Sequence, residues 1–223
     1  MTASPLLLIP GLASDAAVWA DMPAGEVMQS NADTIDDMAA DILTRAPDRF
    51  ALAGSSLGGY IALAMVRAAP GRIERLALLS TSARPDDERQ KAIRLSMIAA
   101  AERDYETLLV AMGSTMMHPD ADAALSEGMR AMARRAGVTM FVRQQRAALA
   151  RPDARPGLAA IAVPTLVLAG EDDQVVPLER ATEMAQTIAG ARLVTIARCG
   201  HIPQRERPKE TAAAMHVWLG RKA

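Results

Sequence analysis

The chain has little cysteine, histidine, lysine or aromatic residue, and each shortage removes a class of function. Cys199 is the only cysteine among 223 residues, so no intrachain disulfide and no cysteine-based metal site is possible, which fits a reducing compartment. The three histidines, His118, His201 and His216, are scattered without a ligand spacing, and no metal or cofactor is expected. Charge of one sign is also missing. The 25 basic residues, of which only Lys91, Lys209 and Lys222 are lysine, face 26 acidic ones, giving a net charge of −1. That balance leaves no basic field for nucleic acid or an anionic membrane surface. Long hydrophobic runs are absent from the start of the chain: Met1-Thr2-Ala3-Ser4 is uncharged, and the run behind it, Leu6 to Ile9, is too short for a signal peptide or a spanning helix. A soluble cytoplasmic protein is the expectation. Six aromatic residues stand against fourteen methionines, a side chain that fills irregular gaps and adapts to varied apolar partners. Half of the residues are apolar, enough for the full core of one domain.

Short apolar runs alternate with longer helical patterns. Leu6 to Ile9 reads as a buried strand ended by Pro10-Gly11, and a weaker strand follows near Glu26 to Gln29. Ile35, Met38, Ala39, Ile42 and Leu43 repeat at helical spacing behind Thr34. Phe50 to Ala53 predicts a strand, Gly58 to Ala69 a helix stopped at Pro70-Gly71, and Arg75 to Leu79 another strand. From about Asp86 to Arg155 no strand pattern occurs. The spacing there predicts three or four short helices punctuated by Gly113, Pro119, Gly128 and Gly137. Strand and helix then alternate again: Thr165 to Ala169, Leu178 to Ile188, Arg192 to Ala197 and Pro208 to Leu219. Such alternation implies parallel strands joined by right-handed crossovers, with helices on both faces. The expected organisation is an α/β core at 1–85 and 156–223 with a helical insertion at 86–155 after the fourth strand.

The strongest chemical signal is Gly54-Ser55-Ser56-Leu57-Gly58, which fits G-x-S-x-G between a predicted strand and a predicted helix. A nucleophile on so sharp a turn needs small neighbours two residues to either side, and the helix start behind it supplies N–H groups for a developing oxyanion. Without function the segment would be a glycine-rich turn, and Ser55 has no such frame. A phosphate-loop alternative lacks the lysine that such a loop uses. Ser56 needs a base. His201, just past the last strand, is placed where loops gather at the carboxyl edge of a parallel sheet. His118 lies in the helical insertion and His216 inside the last helix, both positions typical of surface histidines. The third member should be a carboxylate that orients the imidazole. Glu171, Asp172 and Asp173 follow the fifth strand, and spacing alone does not choose among them. Cys199, two residues from His201, reads as a small buried packing residue.

Taken together, these motifs resemble the α/β-hydrolase-fold serine hydrolases over essentially the whole chain. Gly54 to Gly59 resembles the family's elbow, and Gly170 to Pro177 its G-x-x-D-x-x-x-P, which assigns the acid to Asp173. Gly200-His201 followed by Glu206-Arg207-Pro208 is similar to the family's closing motif with altered spacing. The start, Leu6 to Leu12 with Trp19 downstream, is similar to its first strand and turn, which implies oxyanion donors at the N–H groups of Leu12 and Leu57. Pro10 stands where the family usually has histidine, and nothing precedes Leu6 to supply the family's first two strands, so the expected sheet has six strands, all parallel. Dehalogenases and epoxide hydrolases of this fold carry aspartate where Ser56 stands.

The resemblance is nearest to the small-lid group of carboxylesterases, carrier-protein methyl-ester esterases and enol-lactonases. It implies cleavage of small carboxylic esters or lactones by Ser56, Asp173 and His201. The alternatives are a C–C bond hydrolase or lyase using the same residues and a non-catalytic ligand-binding member of the fold. Gly11, Trp19, Met116, Met117, Val176 and Ile202 are the candidate substrate contacts. Seven methionines (Met97, Met112, Met116, Met117, Met129, Met132 and Met140) fall in the insertion and suggest a pliable apolar roof. The insertion also holds several arginines, among them Arg94, Arg130 and Arg134. Most should lie on solvated helix faces, with one available to a substrate carboxylate. Oligomeric state is not legible in the sequence.

Overall fold

The computed structural model describes residues 4–220; the uncharged start Met1-Thr2-Ala3 lies outside them. Its strands are β1 (Leu6–Ile9), β2 (Glu26–Val27), β3 (Phe50–Ser55), β4 (Ile73–Leu79), β5 (Thr165–Gly170) and β6 (Arg192–Ile196). They form one sheet in the order β2-β1-β3-β4-β5-β6, and every pairing is parallel, as the alternating pattern predicts. The second strand is shorter than expected, two residues at a sheet edge.

The helices of the core are α1 (Ile35–Arg45) and α2 (Leu57–Ala68), and, past the insertion, α6 (Leu178–Thr187), α7 (Pro203–Glu206) and α8 (Pro208–Trp218). In α1 the Thr34 side chain accepts from Asp37 N–H at 3.1 Å, capping the helix, and its apolar stripe Ile35, Met38, Ala39 and Ile42 is buried. Alternation along the strands splits the core in two. Leu7, Ile9, Leu52, Leu76 and Val167 face α1, α2 and α6. Leu6, Leu8, Ala53, Ala77 and Leu168 face the other way, against Trp19 and against Met215 and Trp218 of α8. Both faces of the central strands are therefore covered, the condition under which parallel strands read as unbroken apolar runs.

The insertion holds α3 (Glu88–Arg103), α4 (Tyr105–Met116) and α5 (Ala123–Leu149). Asp87 and Gln90 form a reciprocal capping box at the start of α3, and Asp104 and Asp122 cap α4 and α5. The 27 residues of α5 are two helices meeting at a kink, so the insertion holds four helices, within the three or four short ones that the spacing predicts. Gly113 and Gly128 lie inside helices with open space at the Cβ position and break nothing. Gly137 alone breaks the pattern, with φ +78° and ψ 162° inside α5. The insertion has its own apolar core, in which Phe141 is fully buried and meets Tyr105 edge-on at 5.4 Å between ring centres.

Candidate active site

The site lies at the carboxyl ends of the strands, where a parallel sheet sends all its outgoing loops to one edge. Ser56 ends the strand-to-helix turn between β3 and α2 with φ +53° and ψ −116°, a conformation costing about 1–3 kcal/mol for a non-glycine residue. Its surroundings hold it there. Ser56 N–H donates to the Leu79 carbonyl at 2.9 Å, and Thr81 Oγ1 donates to the Ser56 carbonyl at 2.8 Å. The flanking glycines are required by contact: a Cβ on Gly54 would stand 2.2 Å from the Gly58 carbonyl oxygen, and one on Gly58 would stand 2.1 Å from that of Ile9.

His201, carried past β6, reaches this point. Its Nε2 lies 2.9 Å from Ser56 Oγ, and its Nδ1 lies 2.8 Å from Asp173 Oδ2. Asp173 follows β5; its side chain is fully buried and that of His201 nearly so. The other carboxylate oxygen, Asp173 Oδ1, accepts from the N–H groups of Val175 and Val176 at 2.9 Å each. These bonds fix which oxygen faces the imidazole. Glu171 and Asp172 are exposed, so burial makes the choice that spacing left open.

Sequence reasoning noted Glu206 without giving it a role. Its Oε2 accepts from His118 N–H at 2.7 Å and Gly200 N–H at 2.9 Å, and its Oε1 accepts from Ile202 N–H at 2.9 Å. One carboxylate thus holds both residues beside His201 and ties them to the end of α4, while His201 N–H donates to the Met116 carbonyl. Gln204 was not anticipated at all; its Nε2 donates to Ser55 Oγ at 2.9 Å. His118 sits outside the cavity, 3.7 Å from Asp172 and 3.8 Å from Asp120, and His216 lies in α8. Cys199 is fully buried, and burial pushes its thiol far above the ordinary cysteine range, consistent with a packing residue.

Gly11 packs against the nucleophile turn, where a Cβ on it would lie 3.3 Å from Ser56 Cβ. Leu57, the first residue of α2, has an N–H with no acceptor inside the helix. Leu12 follows Gly11 in a turn closed by Ser14 N–H donating to the Gly11 carbonyl at 3.3 Å, with Pro10 buried before it. A residue of the insertion fixes this turn: buried Gln144 accepts from Ala13 N–H at 2.7 Å.

A cavity of about 400 Å³ opens over Ser56 and His201. Gly11, Leu12, Leu57, Met116, Val176 and Ile202 line it, as do Met97, Met112 and Met129 of the insertion. Two candidate contacts do not line it. Trp19 and Met117 are buried in the core against the far face of the sheet, because the alternation of β1 and the packing of α8 place apolar space there. Met132 joins that same core.

The cavity also has a charged end. Asp86, at the start of the insertion, accepts from Arg94 Nε at 2.5 Å and from Arg151 Nη2 at 2.8 Å. Arg94 Nη1 donates to Gln145 at 2.7 Å, and the Arg151 guanidinium lies 4.1 Å from the centre of the Tyr60 ring. Burial alone would raise the Asp86 carboxyl; hydrogen bonds from Arg151 and Arg94 outweigh it and hold the group below the usual carboxylate range. Other arginines of the insertion pair on the surface, Arg134 with Glu106 and Glu127, and Arg130 with Glu127.

A six-stranded parallel sheet with a serine at a strained strand–helix turn, and a histidine and a buried acid on the neighbouring outgoing loops, defines the class of α/β hydrolases. The model of the alpha/beta hydrolase family matches residues 6–214, and the chain belongs to that family. A pimeloyl-[acyl-carrier protein] methyl ester esterase from Nitrosomonas europaea is 26% identical, covering 92% of this chain and 91% of that protein. The enzyme of the same name from Aliivibrio salmonicida is 27% identical, covering 97% and 92%. Among solved structures, a thermophilic esterase from Thermogutta terrifontis with malate bound is 27% identical with a TM-score of 0.85, covering 98% of this chain and 90% of that one. The enol-lactonase from Burkholderia xenovorans LB400, at 23% identity and a TM-score of 0.87, shares the fold over 98% of this chain and 92% of its own. No helix among the described residues is long and apolar enough to cross a membrane.

Proposed function

We propose that the chain is a cytoplasmic serine hydrolase that cleaves small carboxylic esters or lactones through Ser56, His201 and Asp173. The observation that carries this reading is the unbroken line from Ser56 Oγ to His201 Nε2 and from His201 Nδ1 to Asp173 Oδ2, at 2.9 and 2.8 Å, opening into a mainly apolar cavity. The esterase names of the relatives support the reaction class. Ser56 Oγ attacks the acyl carbonyl carbon as His201 Nε2 takes its proton. The N–H groups of Leu12 and Leu57 stabilise the oxyanion, and Asp173 holds the tautomer and steadies the imidazolium. Collapse expels the alcohol with the proton from His201. Water, deprotonated by His201, then attacks the acyl-enzyme, releasing the acid and restoring Ser56. Residues 86–155 act as a lid whose Met97, Met112, Met116 and Met129 form an adaptable apolar wall, and residues 1–85 and 156–223 form the hydrolase core.

A panel of 4-nitrophenyl acetate and butyrate, with a fluorophosphonate probe, tests this. Wild-type protein should turn over the esters and be labelled. Ser56→Ala should lose about six orders of magnitude in kcat and all labelling. A Ser56→Ala variant that still hydrolyses the esters would sink the assignment.

A further inference from the structure

Charge is unevenly spread over the cavity. Its lining includes Arg94, Arg151 and Arg180 but only one carboxylate, Asp86, in a chain whose total charge is −1. The excess is built into the wall. The side chains of Arg151 and Asp86 are 5% and 2% exposed, and that of Arg94 is 19% exposed. Arg151 Nη1 donates to the Ala148 carbonyl, and Nη2 to the Arg84 carbonyl and Asp86. Arg151 Nε is buried with no hydrogen-bond partner. One carboxylate shared by two guanidinium groups leaves a positive charge uncompensated in a poorly solvated place. Such an arrangement is costly unless an anion completes it, and a single Arg–Asp pair would have sufficed to join the two ends of the insertion. Tyr60, beneath the Arg151 guanidinium, is one helical turn from Ser56, a rise of about 6 Å.

We infer that Arg94 and Arg151, with Asp86 and Gln145 orienting them, form an anion subsite that selects esters carrying a free carboxylate remote from the scissile bond. This rests on the ester-hydrolase reading of Ser56, and it narrows the substrate class to half-esters of dicarboxylic acids or esters of hydroxy acids. The guanidinium groups receive the carboxylate through charge-assisted hydrogen bonds, while the methionine wall accommodates the chain between the two ends.

The test compares monomethyl glutarate and monomethyl adipate with the corresponding methyl esters whose far end is a primary amide, a neutral replacement for the carboxylate. The butyryl ester of 4-hydroxybutyrate, set against its own amide, places the charge on the alcohol side instead. For wild-type protein the kcat/KM ratio of acid to amide should be about tenfold or more in at least one arm, and should fall towards unity in Arg94→Gln. Glutarate or adipate should inhibit hydrolysis of 4-nitrophenyl acetate competitively. By calorimetry the same dicarboxylate should bind Ser56→Ala and fail to bind the Ser56→Ala, Arg94→Gln double variant. A wild-type ratio near one without dicarboxylate binding overturns the subsite and leaves the hydrolase reading standing. Retention of the full ratio in Arg94→Gln overturns the assignment to Arg94. If no ester is hydrolysed but the dicarboxylate binds Ser56→Ala, the subsite stands and the reaction assignment falls. The inhibition and selectivity of wild-type protein decide the matter even if a variant does not fold.

Discussion

Asp173→Asn is the sharpest perturbation of the site, because the structure dictates how the amide must sit. Asp173 Oδ1 accepts two backbone N–H groups, from Val175 and Val176, at 2.9 Å each. In the variant only the amide oxygen can take that place, so the NH₂ group is forced into the position of Oδ2, 2.8 Å from His201 Nδ1. There it donates to Nδ1. The neutral imidazole must then carry its proton on Nε2, the atom 2.9 Å from Ser56 Oγ, and it has no lone pair there to receive the serine proton. The wrong tautomer costs about four orders of magnitude in kcat, or about 5 kcal/mol of transition-state stabilisation. The substitution preserves shape, so folding should be nearly unchanged. Initial rates on 4-nitrophenyl butyrate, with a thermal melt as control, measure both. A well-folded Asp173→Asn within tenfold of wild type would refute the argument that Oδ1 fixes the amide and that Asp173 fixes the tautomer.

Glu206→Ala should slow turnover more than it weakens substrate binding, because it frees the N–H groups of His118, Gly200 and Ile202 around His201. At about 1 kcal/mol for each partly buried donor, the melt should also fall by several degrees; unchanged kcat would argue against a positioning role. Gly58→Ala drives a Cβ to 2.1 Å from the Ile9 carbonyl oxygen and should cost at least about 3 kcal/mol in urea unfolding. Gly128→Ala, in open helix, should gain about 0.5–1 kcal/mol, and equal effects at the two glycines would contradict the contact argument. Asp86→Asn should lower the melt near neutral pH by about 10 °C, since it leaves the buried Arg151 and the partly buried Arg94 without their carboxylate. The folded-state carboxyl titrates below its ordinary value of 3.8, so this stabilisation is complete above that value and is lost as pH falls through the lower folded one. Melts from about pH 7 to pH 2.5 should therefore show the gap between wild type and variant closing only below about pH 4; a gap already closed at pH 5 would contradict the lowered carboxyl.

The sequence alone determined the parallel sheet, its six strands and the spacing of its chemistry. Strand faces and helix stripes are local periodicities, and Leu6 to Ile9 or Ile35 to Ile42 carry them without help from the rest of the chain. The elbow was equally legible, because Gly54 and Gly58 answer to contacts made by the turn itself and by the adjoining strand. Other decisions needed the assembled structure. Trp19 and Met117 looked like cavity residues from their places beside motifs, but the packing of the sheet's far face claimed them. Gly128 and Gly137 look alike in sequence; only the second takes a positive φ. Glu171, Asp172 and Asp173 are three adjacent acids, and burial together with two backbone N–H groups brings Asp173 to the imidazole. The pairing of Asp86 with Arg94 and Arg151 joins the two ends of the insertion, residues up to 65 positions apart. No local pattern encodes such a contact. It exists because the insertion returns to the core beside its point of departure, and burial makes the balance of charge there matter.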